Sequence, residues 1–249
     1  MKALLLGLLA LLTLPGAQAQ DYAREKRWAE EILPALVVGD AVQIRAASGR
    51  EFLALHAQGQ SAKAAIVLVH GVGVHPDHGV IGILRDKLTA LGYTTLSIQM
   101  PVLAKEAQVD DYYPKVFSDA ADRMTKAADW LRARGHADVV LLSHSMGAWM
   151  VNEYLDRTHN STPYKAWIVM GLTGSYSWTM RSYAFPVLDI YGEKDVAPAL
   201  GAAGRRKFAL KSANGSRQVM IAGADHNYNG KEGELTGVID VFLRERRLL

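Results

Sequence analysis

The chain has 249 residues, of which 49% are hydrophobic and 21% are charged, a composition that excludes a disordered chain and allows a sizeable core in one or two domains. It contains no cysteine, which excludes disulfides, thiolate zinc sites and a cysteine nucleophile. The 28 Lys and Arg residues against 25 Asp and Glu residues give a formal net charge of +3, without a clustered basic patch that would predict nucleic-acid binding.

The first residues have the pattern of a secretory signal. Lys2 precedes an apolar run over residues 3–12, and Ala17-Gln18-Ala19 forms a small-x-small site of the kind that signal peptidase cleaves. The run is shorter than the roughly 20 residues that a membrane-spanning helix needs, so an uncleaved anchor helix is the less favoured alternative. We therefore predict a signal peptide over residues 1–19, cleavage after Ala19 and a periplasmic or secreted protein with no integral membrane segment after cleavage.

Residues 20–249 are predicted to form one domain, in which short apolar runs alternate with amphipathic stretches. This alternation is typical of an α/β fold whose mostly parallel sheet has helices on both faces. Two segments around Ser48-Gly49 indicate a hairpin at an antiparallel edge. The predicted strands are residues 41–46, 51–55, 65–69, 94–99, 139–142, 166–170, 187–191 and 218–221. The predicted helices are residues 21–32 (a surface helix), 80–91, 116–134, 146–155 and 238–243.

A serine-containing turn joins one predicted strand to one predicted helix. Residues 139–142 run directly into Ser143-His144-Ser145-Met146-Gly147-Ala148. This is close to the G-x-S-x-G nucleophile elbow, in which a sharp turn exposes a serine at the top of a sheet. Ser143 departs from the motif's first glycine but is still small. The alternative is that Ser145 is an ordinary helix N-cap.

Three other predicted strands end in residues that belong with such a serine. Strand 65–69 leads into His70-Gly71-Val72-Gly73, strand 187–191 into Gly192-Glu193-Lys194-Asp195, and strand 218–221 into Gly223-Ala224-Asp225-His226-Asn227. The order serine, acid, histidine along the chain is that of α/β-hydrolases and differs from the order in other serine-hydrolase folds.

The sequence therefore resembles the α/β-hydrolase superfamily over nearly all of residues 20–249. Within it, residues 70–77, 95–101 and 187–192 are similar to an exported proteobacterial family of unknown function with a hydrolase-like fold. The resemblance implies the α/β-hydrolase fold and a catalytic triad, but no established substrate.

The triad of Ser145, Asp195 and His226 predicts an exported serine hydrolase that cleaves ester-type bonds, a carboxylesterase of small substrates. Ser145 attacks an ester-like carbonyl while His226 accepts its proton and later protonates the leaving group. Asp195 holds the imidazole in the required tautomer. The expected partner is a small ester-like molecule, and the chemistry requires no metal and no organic cofactor.

Backbone N–H groups are predicted to hold the oxyanion, those of Met146 and Val72, with Gly73 as the alternate to Val72. The segment between the strands ending at 170 and beginning at 187 is short, which predicts a minimal lid. Predicted pocket-wall residues are His75, Tyr112, Tyr113, Tyr176 and Trp178.

Several nearby polar residues have more ordinary interpretations. Asp189 rivals Asp195 but lies inside a strand, which favours a buried hydrogen-bonding role. Asp225 is predicted to cap its own loop, and His144 to pack beside the elbow. Residues 75–78 include two histidines and an aspartate, but Gly73 stands where a metallo-β-lactamase-like motif has its first histidine. Residues 205–207 and 244–247 are predicted to form solvated helix faces.

Two broader alternatives remain open. The same triad could serve a peptidase, a thioesterase or a lactonase, because pocket shape and not spacing sets leaving-group preference. The chain could also be a non-catalytic binding protein that retains the fold. Oligomeric state is not predicted.

Overall fold

The computed structural model describes residues 20–60, 64–177, 180, 182–210 and 214–248. The predicted signal peptide, with its cleavage site after Ala19, lies outside the described residues, as does Trp178.

Eight strands form one mixed sheet. The strands are β1 (Asp40–Arg45), β2 (Glu51–Ala57), β3 (Ala65–Val69), β4 (Thr94–Ile98), β5 (Val139–His144), β6 (Ala166–Met170), β7 (Val187–Lys194) and β8 (Arg217–Asp225). Their order across the sheet is β1-β2-β4-β3-β5-β6-β7-β8. Strand β2 pairs antiparallel with β1 and β4, and all other pairs are parallel. The predicted architecture and its antiparallel edge are confirmed.

Helices cover both faces of the sheet. They are α1 (Tyr22–Ile32), α2 (Gly79–Ala90), α3 (Val109–Tyr112), α4 (Phe117–Arg132), α5 (Met146–Thr158), α6 (Ala197–Ala209) and α7 (Glu232–Glu245). No helix in the described part of the chain is long and apolar enough to cross a membrane. The segment of residues 171–186, between β6 and β7, is short, as a minimal lid requires.

Alternate residues of the central strands enter two separate cores, because successive side chains of a strand point to opposite faces. Val67 and Leu141 pack with α4 and α5 on one face. Ile66 and Val140 pack with α2 and α7 on the other. Both faces are thus covered, which is why β3 and residues 139–142 of β5 are apolar throughout. The carboxyl edge of the sheet, where the strands run into loops, is where a site can form.

For helix α6 the sequence predicted only a helix face at residues 205–207 and no bounds. Three of the four buried residues of this helix are the small Ala199, Ala202 and Ala203, which produce little amphipathic signal. The prediction that residues 205–207 form a solvated face is wrong for Arg206, which is 0% exposed. Its Nε donates to Asp189 Oδ2 over 2.9 Å, and its Nη1 donates to backbone carbonyls that include that of Leu172.

Helix α1, predicted as a surface helix, is held to the rest of the fold by buried polar contacts. Asp21 caps α1 by accepting from the N–H of Arg24 over 2.8 Å. On the inner face, Glu25 accepts from both terminal nitrogens of Arg123 over 3.0 and 3.2 Å, and both side chains are buried. Arg123 also donates to the carbonyl of Gln99 over 2.7 Å. Helix α1 is therefore fixed beside the loops that follow β3 and β4.

Candidate active site

The carboxyl ends of four parallel strands, β3, β5, β7 and β8, meet at one edge of the sheet. They carry the loop that begins at His70, the elbow at Ser145, Asp195 and His226. Open α/β sheets bind ligands at this edge, where the strands end and the helices begin.

Ser145 lies in a strained turn between β5 and α5. Its φ of 56° and ψ of −120° place a non-glycine residue in a sparsely populated backbone region. The turn is possible because Gly147 lacks a side chain, since a Cβ there would lie 2.4 Å from the carbonyl oxygen of His70. Ser145 Oγ caps no N–H of α5 within the described part of the chain, so the N-cap interpretation is wrong.

Ser143, where the motif has glycine, has a defined structural partner. Its side chain is buried, and Oγ accepts a hydrogen bond from Trp167 Nε1 on β6 over 2.8 Å. A buried indole N–H without an acceptor costs about 1–3 kcal/mol. The departure from glycine therefore satisfies a neighbouring tryptophan without obstructing the turn.

His226 bridges Ser145 and Asp195. Its Nε2 lies 3.0 Å from Ser145 Oγ, and its Nδ1 lies 2.6 Å from Asp195 Oδ1. The two oxygens of Asp195 also accept from the backbone N–H groups of Gly192 over 3.2 Å and Val196 over 2.8 Å. Burial by itself would raise the pKa of Asp195. The hydrogen bond and charge of His226, together with the two backbone N–H groups, outweigh burial, so the pKa of Asp195 is lowered. An ionised Asp195 fixes the proton of His226 on Nδ1.

Gly171, directly after β6, provides the space in which the histidine stands. It has a φ of +59°, and a Cβ built on it would lie 2.9 Å from Cε1 and 3.0 Å from Nδ1 of His226. No sequence motif singled out this glycine. Only the tertiary structure shows that the imidazole packs against a bare backbone here.

The loop after β3 contacts the serine from the other side. A Cβ on Gly71 would lie 3.4 Å from Ser145 Cβ, and Val72 lines a cavity together with Ser145 and His226. The carbonyl of Gly71 accepts from Nδ1 of the buried His70 over 2.9 Å. Because C=O and N–H point in opposite directions across a trans peptide, this bond also orients the N–H of Val72. Gly73, the predicted alternate, has its carbonyl bound by Arg24.

His70 is held in one tautomer by its partners. Nε2 accepts from the N–H of Met100 over 2.9 Å, so the ring proton is on Nδ1. Burial is the main cause that lowers the pKa of His70 to about 3. A neutral His70 therefore holds the Gly71–Val72 peptide at all ordinary pH values.

Arg24 of α1 fixes the same loop and was not predicted. Its Nη2 donates to the carbonyl of Gly73 and its Nη1 to the carbonyl of Leu103, each over 3.0 Å. The guanidinium also lies 4.5 Å from the ring centroid of Trp28. Nothing in the sequence links residue 24 to residue 73, because the contact depends on where α1 docks.

Three rivals near the triad have the ordinary roles predicted for them. His144 packs beside the elbow, and its Nε2 donates to the carbonyl of His226 over 2.8 Å. Burial is the main cause that lowers its pKa to about 4. Asp225 accepts from the N–H groups of Asn227 and Asn229, each over 3.0 Å, and so caps the turn after His226. Asp189 is fully buried against Arg206.

The predicted pocket-wall residues lie in different places. His75 packs against Trp28, with ring centroids 5.9 Å apart. Tyr112 is only 2% exposed, and its hydroxyl accepts from the N–H of Leu103 over 3.1 Å, so it belongs to the core. Tyr176 packs on Trp167, with centroids 5.5 Å apart, and lines a separate cavity beside α6.

Two cavities adjoin the elbow in the described part of the chain. One, of about 330 Å³, is lined by Ser145 and His226 and by the first turn of α2. The other, of about 620 Å³, is lined by Met146, Trp149 and residues of α3 and α4, and it includes Tyr113. Of the predicted wall residues that the structure describes, Tyr113 is thus the one beside the elbow.

Comparisons with known proteins find a matching family model and solved structures of similar fold. Residues 14–115 match the model of a family described as a protein of unknown function, DUF3530. No curated protein matches the chain. Among solved structures, Est1E from Butyrivibrio proteoclasticus is 16% identical with a TM-score of 0.65, and the match covers 84% of this chain and 99% of that one.

Two further solved structures are similar to the same extent. Dienelactone hydrolase from Anabaena variabilis is 18% identical with a TM-score of 0.66, covering 83% of this chain and 96% of its own. A serine hydrolase without a lid from Xanthomonas campestris is 15% identical with a TM-score of 0.64, covering 84% and 95%. The sheet order, the elbow and these likenesses together establish that the chain has the α/β-hydrolase fold.

Proposed function

We propose that this protein is a serine hydrolase that cleaves carboxylic esters through an acyl-enzyme intermediate. The observation that carries the proposal is the line of contacts from Ser145 Oγ through His226 to Asp195, at 3.0 and 2.6 Å, at the carboxyl edge of the sheet. These are the distances that a nucleophile, its general base and the group that orients the base require.

The reaction proceeds in two steps. Ser145 Oγ adds to the ester carbonyl as its proton passes to His226 Nε2, and the imidazolium then donates that proton to the departing alcohol. Water repeats the sequence on the acyl-enzyme and releases the acid. Asp195 stays ionised throughout, and its charge stabilises the imidazolium.

The oxyanion is stabilised by two backbone N–H groups. Met146 is the first residue of α5, so its N–H has no partner one turn earlier in the helix and lies at the positive end of the helix dipole. Val72 supplies the second, because the hydrogen bond from His70 to the carbonyl of Gly71 orients the N–H of Val72. Removing one such donor typically costs about 3–4 kcal/mol of barrier lowering.

A fluorophosphonate probe tests the proposal directly. Ser145 Oγ bonds to phosphorus, fluoride leaves, and intact-mass spectrometry detects one added group. We expect labelling of the wild type and of Ser48→Ala, a matched control on the exposed β1–β2 hairpin, but none of Ser145→Ala. A folded wild type that never labels would favour the non-catalytic alternative. Rates on matched esters, thioesters, amides and lactones then separate the esterase from the other acyl hydrolases.

Export is the second part of the proposal and rests on the sequence of residues 2–19 alone. N-terminal sequencing of the protein recovered from a periplasmic extract of a Gram-negative host should begin at Gln20. Recovery only from the cytoplasm with Met1 retained would contradict it.

A further inference from the structure

The cavity lined by Met146 and Trp149 has no role in the mechanism above, although it begins at the residue next to the nucleophile. Its volume of about 620 Å³ falls within the roughly 300–1,000 Å³ of small-molecule sites. It lies on the face of the sheet that α4 and α5 cover, whereas the cavity containing Ser145 and His226 lies by α2 and α7.

In the tetrahedral intermediate, each substituent of the central carbon must point toward a different part of the site. The carbon bonded to Ser145 Oγ also carries the oxyanion, the leaving-group oxygen and the acyl chain. The leaving group must lie beside His226, which protonates it, and the oxyanion must point to the N–H groups of Met146 and Val72. The acyl chain takes the remaining direction, away from His226 and toward the Trp149 side.

The walls of this second cavity are aromatic. Tyr113 and Phe117 meet edge to face, with ring centroids 5.1 Å apart. Trp149 is fixed in orientation, because its Nε1 donates to Thr173 Oγ1 over 2.9 Å and a Cβ on Gly174 would lie 2.3 Å from its ring. Such walls favour a flat apolar group through burial and ring–ring contact.

The negative charge at the rim of the cavity disfavours acyl groups that carry a carboxylate. Asp110 is exposed and lines the cavity, and the described lining residues, which include Val109 and Met146, provide no cation. An acyl chain that ended in a carboxylate would be repelled here. Thr173 Oγ1 already accepts from Trp149 Nε1, and the described walls are mainly apolar or aromatic, so the interior selects mainly by shape and apolarity.

We propose that this cavity is the acyl subsite and that it takes a neutral aryl-bearing acyl group, such as a 3-phenylpropanoyl chain. The inference rests on the proposed esterase function and narrows its substrate class. It also revises the expectation of a small substrate, because the cavity holds far more than an acetyl group.

The experiment keeps the alcohol constant and changes only the acyl group. Methyl acetate and methyl 3-phenylpropanoate are hydrolysed in a pH-stat, and kcat/KM is measured for each. We expect a wild-type preference for the phenylpropanoate of about 10-fold or more, since each buried apolar increment in a pocket contributes discrimination of that order. In Trp149→Ala and Tyr113→Ala, the ratio should fall several-fold toward one.

Two features make the test robust. Tyr113 is 54% exposed, so its truncation gives a result even if Trp149→Ala does not fold. Phe208→Ala is the matched control, because this aromatic residue is 77% exposed and lines a different cavity on α6, so the ratio should stay at the wild-type value.

The outcomes separate this inference from the proposed function. A wild type that cleaves the acetate at least as well as the phenylpropanoate overturns the acyl subsite and leaves the esterase intact. An unchanged ratio in Tyr113→Ala together with an unchanged ratio in a folded Trp149→Ala does the same. If the wild type hydrolyses neither ester, the proposed function itself is overturned, and the inference is overturned with it.

Discussion

Replacing Gly171 by alanine should disable the site by displacing a ring, without removing any functional group. The new Cβ would lie 2.9 Å from Cε1 of His226, and restoring a normal contact of about 3.5 Å requires the ring to move by roughly 0.6 Å. The ring is bound at both nitrogens, so the movement must lengthen its contact with Ser145 or with Asp195. A misplacement of 1 Å can cost about 100-fold in rate, so for a movement of roughly 0.6 Å we expect a loss of about 10- to 100-fold in kcat/KM.

The same substitution should lower the free energy of unfolding. Forcing alanine into the left-handed region costs about 1–2 kcal/mol, and overpacking adds about 1–3 kcal/mol. The matched control is Gly49→Ala, whose φ of +83° gives the same backbone penalty but whose Cβ would meet nothing within 4 Å. Ester hydrolysis and urea unfolding are measured for both. If Gly171→Ala retained activity close to that of Gly49→Ala, the steric argument would be refuted.

Three further outcomes are expected. Arg24→Ala frees the carbonyl of Gly73 and should lower kcat by about 10-fold through a misplaced oxyanion loop, with partial recovery in Arg24→Lys. Arg206→Met leaves the buried Asp189 without its cationic partner, with the neutral amide of Gln218 still donating to it, and should cost about 3–5 kcal/mol in urea unfolding. Acid should destabilise the fold through His144, because the unfolded histidine, with a pKa of 6.5, binds a proton that the folded one, with a pKa of about 4, does not. The contribution of His144 to the free energy of unfolding is full above about pH 6.5 and should fall by on the order of 3 kcal/mol by about pH 4.

The first two outcomes each have a control on the same helix, and the third has a test variant. Lys26→Ala, on the exposed face of α1, should leave kcat unchanged, and an equal loss in both variants would contradict the loop argument. Arg205→Met, one residue away on α6 but exposed, should change stability by less than about 0.5 kcal/mol. The slope of unfolding free energy against pH should decrease in His144→Asn; an unchanged slope would show that other groups cause the acid sensitivity.

Much of the candidate site could be predicted from the sequence, because the site residues directly follow strands and lie in short motifs. The elbow around Ser145 and the segments ending in Asp195 and His226 are local patterns, and parallel strands bring their carboxyl ends to one edge. What failed was the assignment of side chains whose environment is set by distant elements. Arg206 has the sequence context of a solvated residue, yet it is buried because α6 packs over β7. Tyr112 was expected on a wall and lies in the core.

The amino-acid sequence by itself determined the alternation of strands and helices, the turn at Ser145 and the chain order of the three predicted triad residues, since each depends on neighbours within a few residues. Tertiary structure alone decided that Gly171 leaves room for the imidazole, that Arg24 holds the loop after β3, and that an aromatic cavity opens beside Met146. These contacts join residues far apart in the chain. They arise from how helices dock on the sheet, and no local periodicity encodes that docking.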